Sequence, residues 1–244
     1  MSGALTDRAE RPSLLRLGRV EARKMVDTRA AMWLLILTAL SALAAVVVGA
    51  FFEDANRDFG ELFVDAMLAA SVLMPIVPIL LVTGEWSQRA ALGTFTLVPA
   101  RDRVMAAKLL ALLALLIAFT VICLALSALA AAIGGDGLDI STADAAQAVL
   151  FDLLALLFGF GLAAILMNSP AAIVLNFVAP IVVAGIAAIS TGIEEAVAWV
   201  DPSTWSTLTD ANHPDWDKIA TTTLAWVVVP IALGLARLRR RDVS

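Results

Sequence analysis

Few side chains in this sequence could do chemistry, and those that could are set in apolar surroundings. Asp65 and Asp152 both fall inside apolar runs. Two facing membrane aspartates would suit intramembrane proteolysis, but the nearest glycine motif, Gly159-Phe160-Gly161-Leu162, has Leu where that chemistry needs an Asp. A charge at the membrane centre costs at least about 2.5 to 3.5 kcal/mol. Each acid is expected a turn or so inside the end of its helix, where a carboxylate snorkels to water; aiding release of a cationic substrate is the rival role. His213, the only histidine, stands near Asp215 and Asp217. One imidazole and two acids on a turn fall short of a metal centre, so no metal is expected.

Two further groups are suited to binding rather than catalysis. Met67, Ser71 and Met74 share a helical face with Pro78. Methionine adapts to varied apolar ligands and Pro75 and Pro78 bend a helix, so this stripe borders a substrate path or forms a packing seam. Asn176, beside Phe177 and Pro180, is a polar group deep in an apolar run. It makes either an interhelical hydrogen bond, worth roughly 1 kcal/mol in a membrane, or a substrate contact. No catalytic residue stands out. The chain also lacks Gly-x-x-x-x-Gly-Lys-Ser/Thr, the loop that cradles nucleotide phosphates, so it is not expected to be an enzyme by itself.

The elements that must position these residues follow from composition. Of 244 residues 61% are hydrophobic and 16% charged, and the apolar ones gather into runs near the length of about 20 that a helix needs to cross hydrocarbon. Inside lipid each segment must satisfy its own backbone hydrogen bonds, which leaves helices; β-barrel strands would alternate over about ten positions. The expected spans are Met32 to Phe52, Leu62 to Gly84, Ala106 to Ile133, Ala148 to Met167, Ala171 to Ser190 and Ile219 to Leu235. The single cysteine, Cys123, excludes an intrachain disulfide.

The net charge of −5 hides a sorting of sign. Of the 17 Lys and Arg, 15 fall in the N-terminal segment, in the loop after the second run (Arg89, Arg101, Arg103, Lys108) and in the tail; only Arg57 and Lys218 lie elsewhere. Cytoplasmic loops carry this excess, so both termini are expected in the cytoplasm. The opposite loops are acidic: Glu53, Asp54 and Asp58, then Asp136, Asp139 and Asp144, then a run from Glu194 to Asp217. An even number of spans preserves the sorting. Trp33 and Trp86 fall at the inner boundary and Trp199, Trp205 and Trp216 in the last outer loop, the headgroup levels that indole prefers. Val48-Gly49-Ala50 has the small residues of a signal-peptide cleavage site, but the run before it is too long and the segment preceding that run too extended.

Three segments are more than tethers. Leu14 to Asp27 has Arg16, Arg19, Arg23 and Asp27 on one face and Leu14, Leu17, Gly18 and Met25 on the other, with Glu21 interrupting the apolar side; this suits an interfacial helix. In the loop 85–105, Gly93 ends a helix that continues from the second span, and Thr94 to Val98 offers an apolar strip of the kind that marks a protein contact. The outer segment 191–218 reads as two short helices, the second started by Asp201-Pro202. Between the fourth and fifth spans, Ser169 as N-cap and Pro170 as first helical residue make a tight hairpin.

This order of parts resembles the permease subunit of bacterial type-2 ABC exporters. The closest match is Glu85-Trp86, Gly93-Thr94, Leu97, Pro99, Arg101, Arg103 and Ala107-Lys108. It is similar to the pattern those permeases carry after their second span. Lys24, Thr28-Arg29 and Trp33-Leu34-Leu35 resemble their N-terminal segment, and Trp199 with Asp201-Pro202-Ser203 their outer segment. The resemblance implies a path formed with a second permease subunit, identical or related. It also implies two copies of a cytoplasmic ATPase that bind ATP and Mg, with Glu85, Arg89, Gly93, Thr94, Leu97, Pro99, Arg101 and Arg103 in the coupling loop.

The expectation is an all-α, polytopic protein of the bacterial plasma (inner) membrane. A cytoplasmic segment (1–31) with an amphipathic interfacial helix leads into a six-helix transmembrane domain (32–236) that includes an outer re-entrant helical hairpin (191–218); a basic tail (237–244) follows. Its partners are the ATPase, the second permease and the bilayer, with no nucleic acid and no cofactor in the chain itself. A secondary transporter is the alternative, disfavoured by the lack of mid-membrane charges and of paired broken helices; a nontransporting membrane scaffold or sensor is the other alternative.

Overall fold

The computed structural model describes residues 13–52, 58–87, 101–135, 137–209 and 214–240, and these are helical apart from short connections. In chain order the helices are α1 (Leu14–Asp27), α2 (Arg29–Phe51), α3 (Phe59–Ser71), α4 (Ile76–Ser87), α5 (Arg101–Gly134), α6 (Thr142–Leu166), α7 (Ser169–Ala187), α8 (Thr191–Val197), a 3-10 turn Pro202–Leu208, α9 (Trp216–Thr223), a π segment Leu224–Val228 and α10 (Val229–Arg240). Six of the resulting helical segments are long and apolar enough to cross a membrane: 29–51, 59–84, 102–134, 142–166, 169–187 and 216–238. That is the architecture of a multi-pass membrane protein.

Helix starts follow local chemistry. Thr28, Asp58, Ser141, Asn168 and Asp215 each turn a side-chain oxygen onto a backbone N–H three residues on, satisfying a donor that the first turn cannot bond internally. The expected cap at Ser169 moves back one residue. Asn168 accepts from Ala171 N at 2.9 Å, which frees the Ser169 hydroxyl to pair with Thr83 Oγ1 at 2.6 Å and tie α7 to α4. Met167 closes α6 in the left-handed conformation (φ 50), so the hairpin turns within two residues.

The second span is interrupted rather than bent. Pro75 has no N–H for the Ser71 carbonyl and Pro78 none for Met74. The chain therefore crosses Val72 to Pro75 in tight turns, Leu73 N to Ala70 O at 3.1 Å and Ile76 N to Leu73 O at 3.1 Å, before α4 resumes. The last span holds the π segment. Pro230 cannot donate to Trp226 O, and Val229 N reaches back five residues to Leu224 O instead.

The second and fourth spans form the centre, 61% and 56% buried, whereas the first and fifth are 22% and 17% buried. On α7 only Ala172, Asn176 and Ala179 are buried, while Val174 and Ile181 are 60% and 69% exposed. So broad an apolar face is at home in lipid or against a partner, not in water.

Glycines let the central helices touch. A Cβ on Gly159 would meet the Pro75 carbonyl, and one on Gly234 would come within 2.5 Å of Ala164 Cβ; small residues at such seams bring backbones together in membranes. Gly159→Ala is expected to destabilise the bundle by about 3 kcal/mol, the upper end for overpacking, because the obstacle is backbone. Thermal unfolding in detergent would measure this, and an unchanged midpoint would mean that α6 stands further from the break.

Candidate functional site

Three places gather polar groups within the apolar bundle. The first is at its basic end. Glu21 on α1 is 4% exposed and Lys108 on α5 is 1% exposed. Lys108 Nζ donates to Glu21 Oε2 at 2.6 Å and to the Leu81 carbonyl of α4 at 3.1 Å, while Lys24 Nζ holds Glu21 Oε1 at 2.7 Å. A buried carboxylate needs such partners, so Glu21, which breaks the apolar face in sequence, is what docks that face. Gly18, Glu21 and Met25 turn to the bundle, with Gly18 against Ala107 and Leu110. Arg16, Arg19 and Arg23 remain on the outside face, where charge keeps its hydration. Arg237 Nη1 caps the Ile165 carbonyl at the same end, 2.6 Å away.

This clamp stands at the root of the segment 88–100. Arg89, Gly93, Thr94, Leu97 and Pro99 lie outside the described residues; Glu85 is in the last turn of α4, Arg101 opens α5, and Arg103 is half-buried on α5. The three helices joined by Lys108 are therefore the two flanking that loop and the one N-terminal to the spans.

The second place is Asp152. It is 0% exposed, and neither carboxylate oxygen has a hydrogen-bond partner among the described residues. This corrects the expectation that it snorkels to water. The helix begins at Thr142, six residues before the expected span, and this places Asp152 about 15 Å along α6 at 1.5 Å per residue. Cys123 of α5 lies within electrostatic reach of it. One turn further along α5, Ser127 Oγ is likewise buried without a partner. Asp65 on α3 is half-buried nearer the acidic end.

The third place is an open cleft of about 210 Å³ between α6, α7 and the 3-10 turn. Pro75, Phe151, Phe158, Asn176, Pro180 and Trp205 are among its walls, which are almost wholly apolar. The Phe158 ring packs in T-shaped geometry with Trp205 and Trp226 at centroid distances of 5.8 and 5.5 Å. Trp226 Nε1 donates to the Val200 carbonyl at 2.6 Å. The 3-10 turn is started by Asp201, which accepts from Ser203 N at 2.9 Å. Asn176 Oδ1 and Trp205 Nε1 are buried with no hydrogen-bond partner among the described residues, and a buried polar atom left unpaired costs about 1 to 3 kcal/mol.

The residues considered for a substrate path are thus divided. Met67 and Met74 are 0% and 1% exposed in the central packing, Ser71 donates to Leu68 O at 2.7 Å, Asn176 lines the cleft, and Phe177 is 39% exposed on the outer side of α7. Sequence reasoning missed the Glu21–Lys108 pair and Trp205 in the cleft wall. The signal for the first was an acid on an apolar face and a lysine inside a span, each in need of the other. Of the His213 cluster, Asp215 forms an ion pair with Lys218 at 2.6 Å, whose hydrogen bond holds the carboxyl below its ordinary range; His213 lies outside the described residues. The chain matches no protein-family model and no curated protein.

Proposed function

We propose that this chain is the transmembrane subunit of a type-2 ATP-binding-cassette exporter in a bacterial inner membrane. Both termini are cytoplasmic, two permease subunits enclose the path, and a separate ATPase, in two copies, docks on the loop 85–105. In this reading α1 lies along the inner leaflet with its basic face outward, and α8 with the 3-10 turn dips into the outer interface. The observation that carries it is the Glu21–Lys108–Leu81 clamp, which makes one body of α1, α4 and α5 at the basic end. A loop held between two such helices can act as a lever on the central bundle. The motif of that loop supplies the family likeness, and the excess of Lys and Arg supplies the orientation. Shifting the bundle from about 1:99 to 99:1 between two packings takes roughly 5.5 kcal/mol, which ATP binding by the partner would provide.

The test is recovery of the tagged chain from its own cells in mild detergent. A soluble protein with a phosphate-binding Gly-Lys-Ser/Thr loop is expected to copurify, its ATPase activity changed by the chain. In that complex, replacing Gly93 or Pro99 is expected to leave ATP hydrolysis running while transport falls at least tenfold. Absence of the nucleotide-binding partner, or normal transport by both variants, would sink the reading.

A second reading, a proton-coupled secondary transporter, is favoured by Asp152 and by the interrupted second and last spans. Ionisable groups inside a membrane mark proton relays in pumps and transporters. Uptake or efflux by vesicles that hold the chain alone, driven by a pH gradient and indifferent to ATP, would select it.

A further inference from the structure

We propose that the cleft between α6, α7 and the 3-10 turn binds a neutral, mainly apolar ligand bearing one hydroxyl or amide group, of which a single ring or short chain end fills the site. The proposal concerns binding and stands whether or not the chain couples to an ATPase. Its size follows from the volume of about 210 Å³. An apolar cavity of about 150 Å³ already takes up benzene, and sites for whole drug-sized molecules begin near 300 Å³. Its neutrality follows from the walls, which among the described residues include no charged side chain and are mostly rings and prolines, with Ser203 and Ser206 on the side of the 3-10 turn. A charged ligand would lose its hydration there with nothing in return.

The polar group follows from the two orphaned atoms. Asn176, 6% exposed, offers an amide oxygen, and Trp205, 4% exposed, offers an indole N–H; both residues line the cleft and neither atom has a hydrogen-bond partner among the described residues. One accepts and the other donates, and a hydroxyl or an amide supplies the complement of each. Both atoms are buried, so a ligand bonds them only as the side chains that carry them turn. The last torsion of asparagine is broad, so its amide swings toward a donor that enters. Next to the lining residues Asn176 and Pro180, Phe177 and Ile181 are exposed apolar side chains, so a ligand reaches the cleft from the hydrocarbon. Two sources share this chemistry, a membrane lipid with a hydroxyl or amide in its apolar part, and a free alcohol or phenol dissolved in the bilayer.

The experiment uses the full chain in nanodiscs of defined phospholipid, titrated with 4-propylphenol and with 4-propyltoluene, which replaces the hydroxyl by methyl. Saturation-transfer NMR is read against nanodiscs that hold the Ala155→Phe variant, whose cleft is filled. The wild type is expected to bind the phenol saturably and about tenfold more tightly than the hydrocarbon, the ratio that roughly one good hydrogen bond provides. Asn176→Leu and Trp205→Phe are each expected to bring the ratio toward one without lowering the melting temperature of the empty protein. Mass spectrometry of lipid carried by wild type but not by Ala155→Phe identifies the source: a hydroxylated or amide lipid supports the first origin, and none supports the second. Equal binding of the two probes, undiminished preference when Asn176→Leu and Trp205→Phe are combined, no saturable binding, or a retained lipid with neither polar group would overturn the proposal.

Discussion

Lys108→Met is expected to destabilise the folded chain by about 3 kcal/mol, the lower end of what removing one partner from a buried ion pair costs. The lower end applies because Glu21 keeps Lys24 at 2.7 Å, so its charge is weakened in support rather than stranded. What is lost is a side chain that reaches both α1 and the Leu81 carbonyl of α4. Replacing both partners by apolar residues removes the desolvation cost together with the attraction. Glu21→Leu with Lys108→Met is therefore expected to recover most of the stability lost by the single change, and the cycle of four proteins gives the coupling directly. Thermal unfolding of each in the same detergent supplies the numbers. The double variant also separates stability from signalling, because α1 would still pack through Gly18 and Met25 but without the charged link to α4. If the proposed function holds, ATP hydrolysis by the double variant continues while transport per ATP falls. A single variant that unfolds within about 0.5 kcal/mol of wild type, the range of ordinary surface changes, would mean that Lys108 is not held as described.

The spans were legible because the bilayer imposes a length, and the runs of Ala, Leu and Val meet it six times. The capping residues were nearly as legible: Asp201-Pro202 does start a turn, although the donor N–H is only two positions on from the cap and the turn is 3-10 rather than α. At Asn168 the expected cap was displaced by one position, since Asn reaches Ala171 N and Ser169 has a better partner in Thr83. What could not be read was contact across the chain. Glu21 and Lys108 are 87 residues apart, and nothing local to either says that they meet. The same holds for Gly159 and Gly161. In sequence they resemble an incomplete catalytic motif, and in the fold they make room for Pro75 and Pro230.

The cleft was half legible. Asn176 was singled out because a polar residue in an apolar run requires an explanation, but its neighbours in space come from three separate segments. Trp205 read as an interfacial anchor. Its ring is instead 4% exposed and in T-shaped contact with Phe158, because the 3-10 turn brings it over α6. The interruption of the second span was legible as a bend from Pro75 and Pro78, and its consequence, a floor for the cleft, was not.

Asp152→Leu is expected to stabilise the protein by about 2 to 3 kcal/mol, opposite in sign to most core substitutions. Leucine matches the branching of aspartate but is larger, a methyl standing where each oxygen stood, so overpacking of about 1 to 3 kcal/mol offsets part of the gain at this buried site. Both oxygens are buried and have no hydrogen-bond partner among the described residues, and each such atom costs about 1 to 3 kcal/mol, more if the group is charged at this depth. Removing the carboxyl relieves that cost, whereas Asp152→Asn retains an unpaired amide and is expected to gain less than half as much. A rise in the unfolding midpoint for Leu and a smaller one for Asn would establish that nothing in the folded chain compensates the acid. A fall for the near-isosteric Asp152→Asn as well as for Asp152→Leu would show a partner that the isolated chain lacks, such as an ordered water or a residue of a second subunit; a fall for Leu alone would measure overpacking. Function then decides between the two transport readings. A stabilised Asp152→Leu protein that still exports with ATP assigns the carboxyl no part in the ATP-driven cycle. One that is stable, binds its partners and no longer moves cargo along a pH gradient makes Asp152 the proton carrier, and its instability the condition of its use, since an acid that was fully satisfied in one packing would have no reason to favour another.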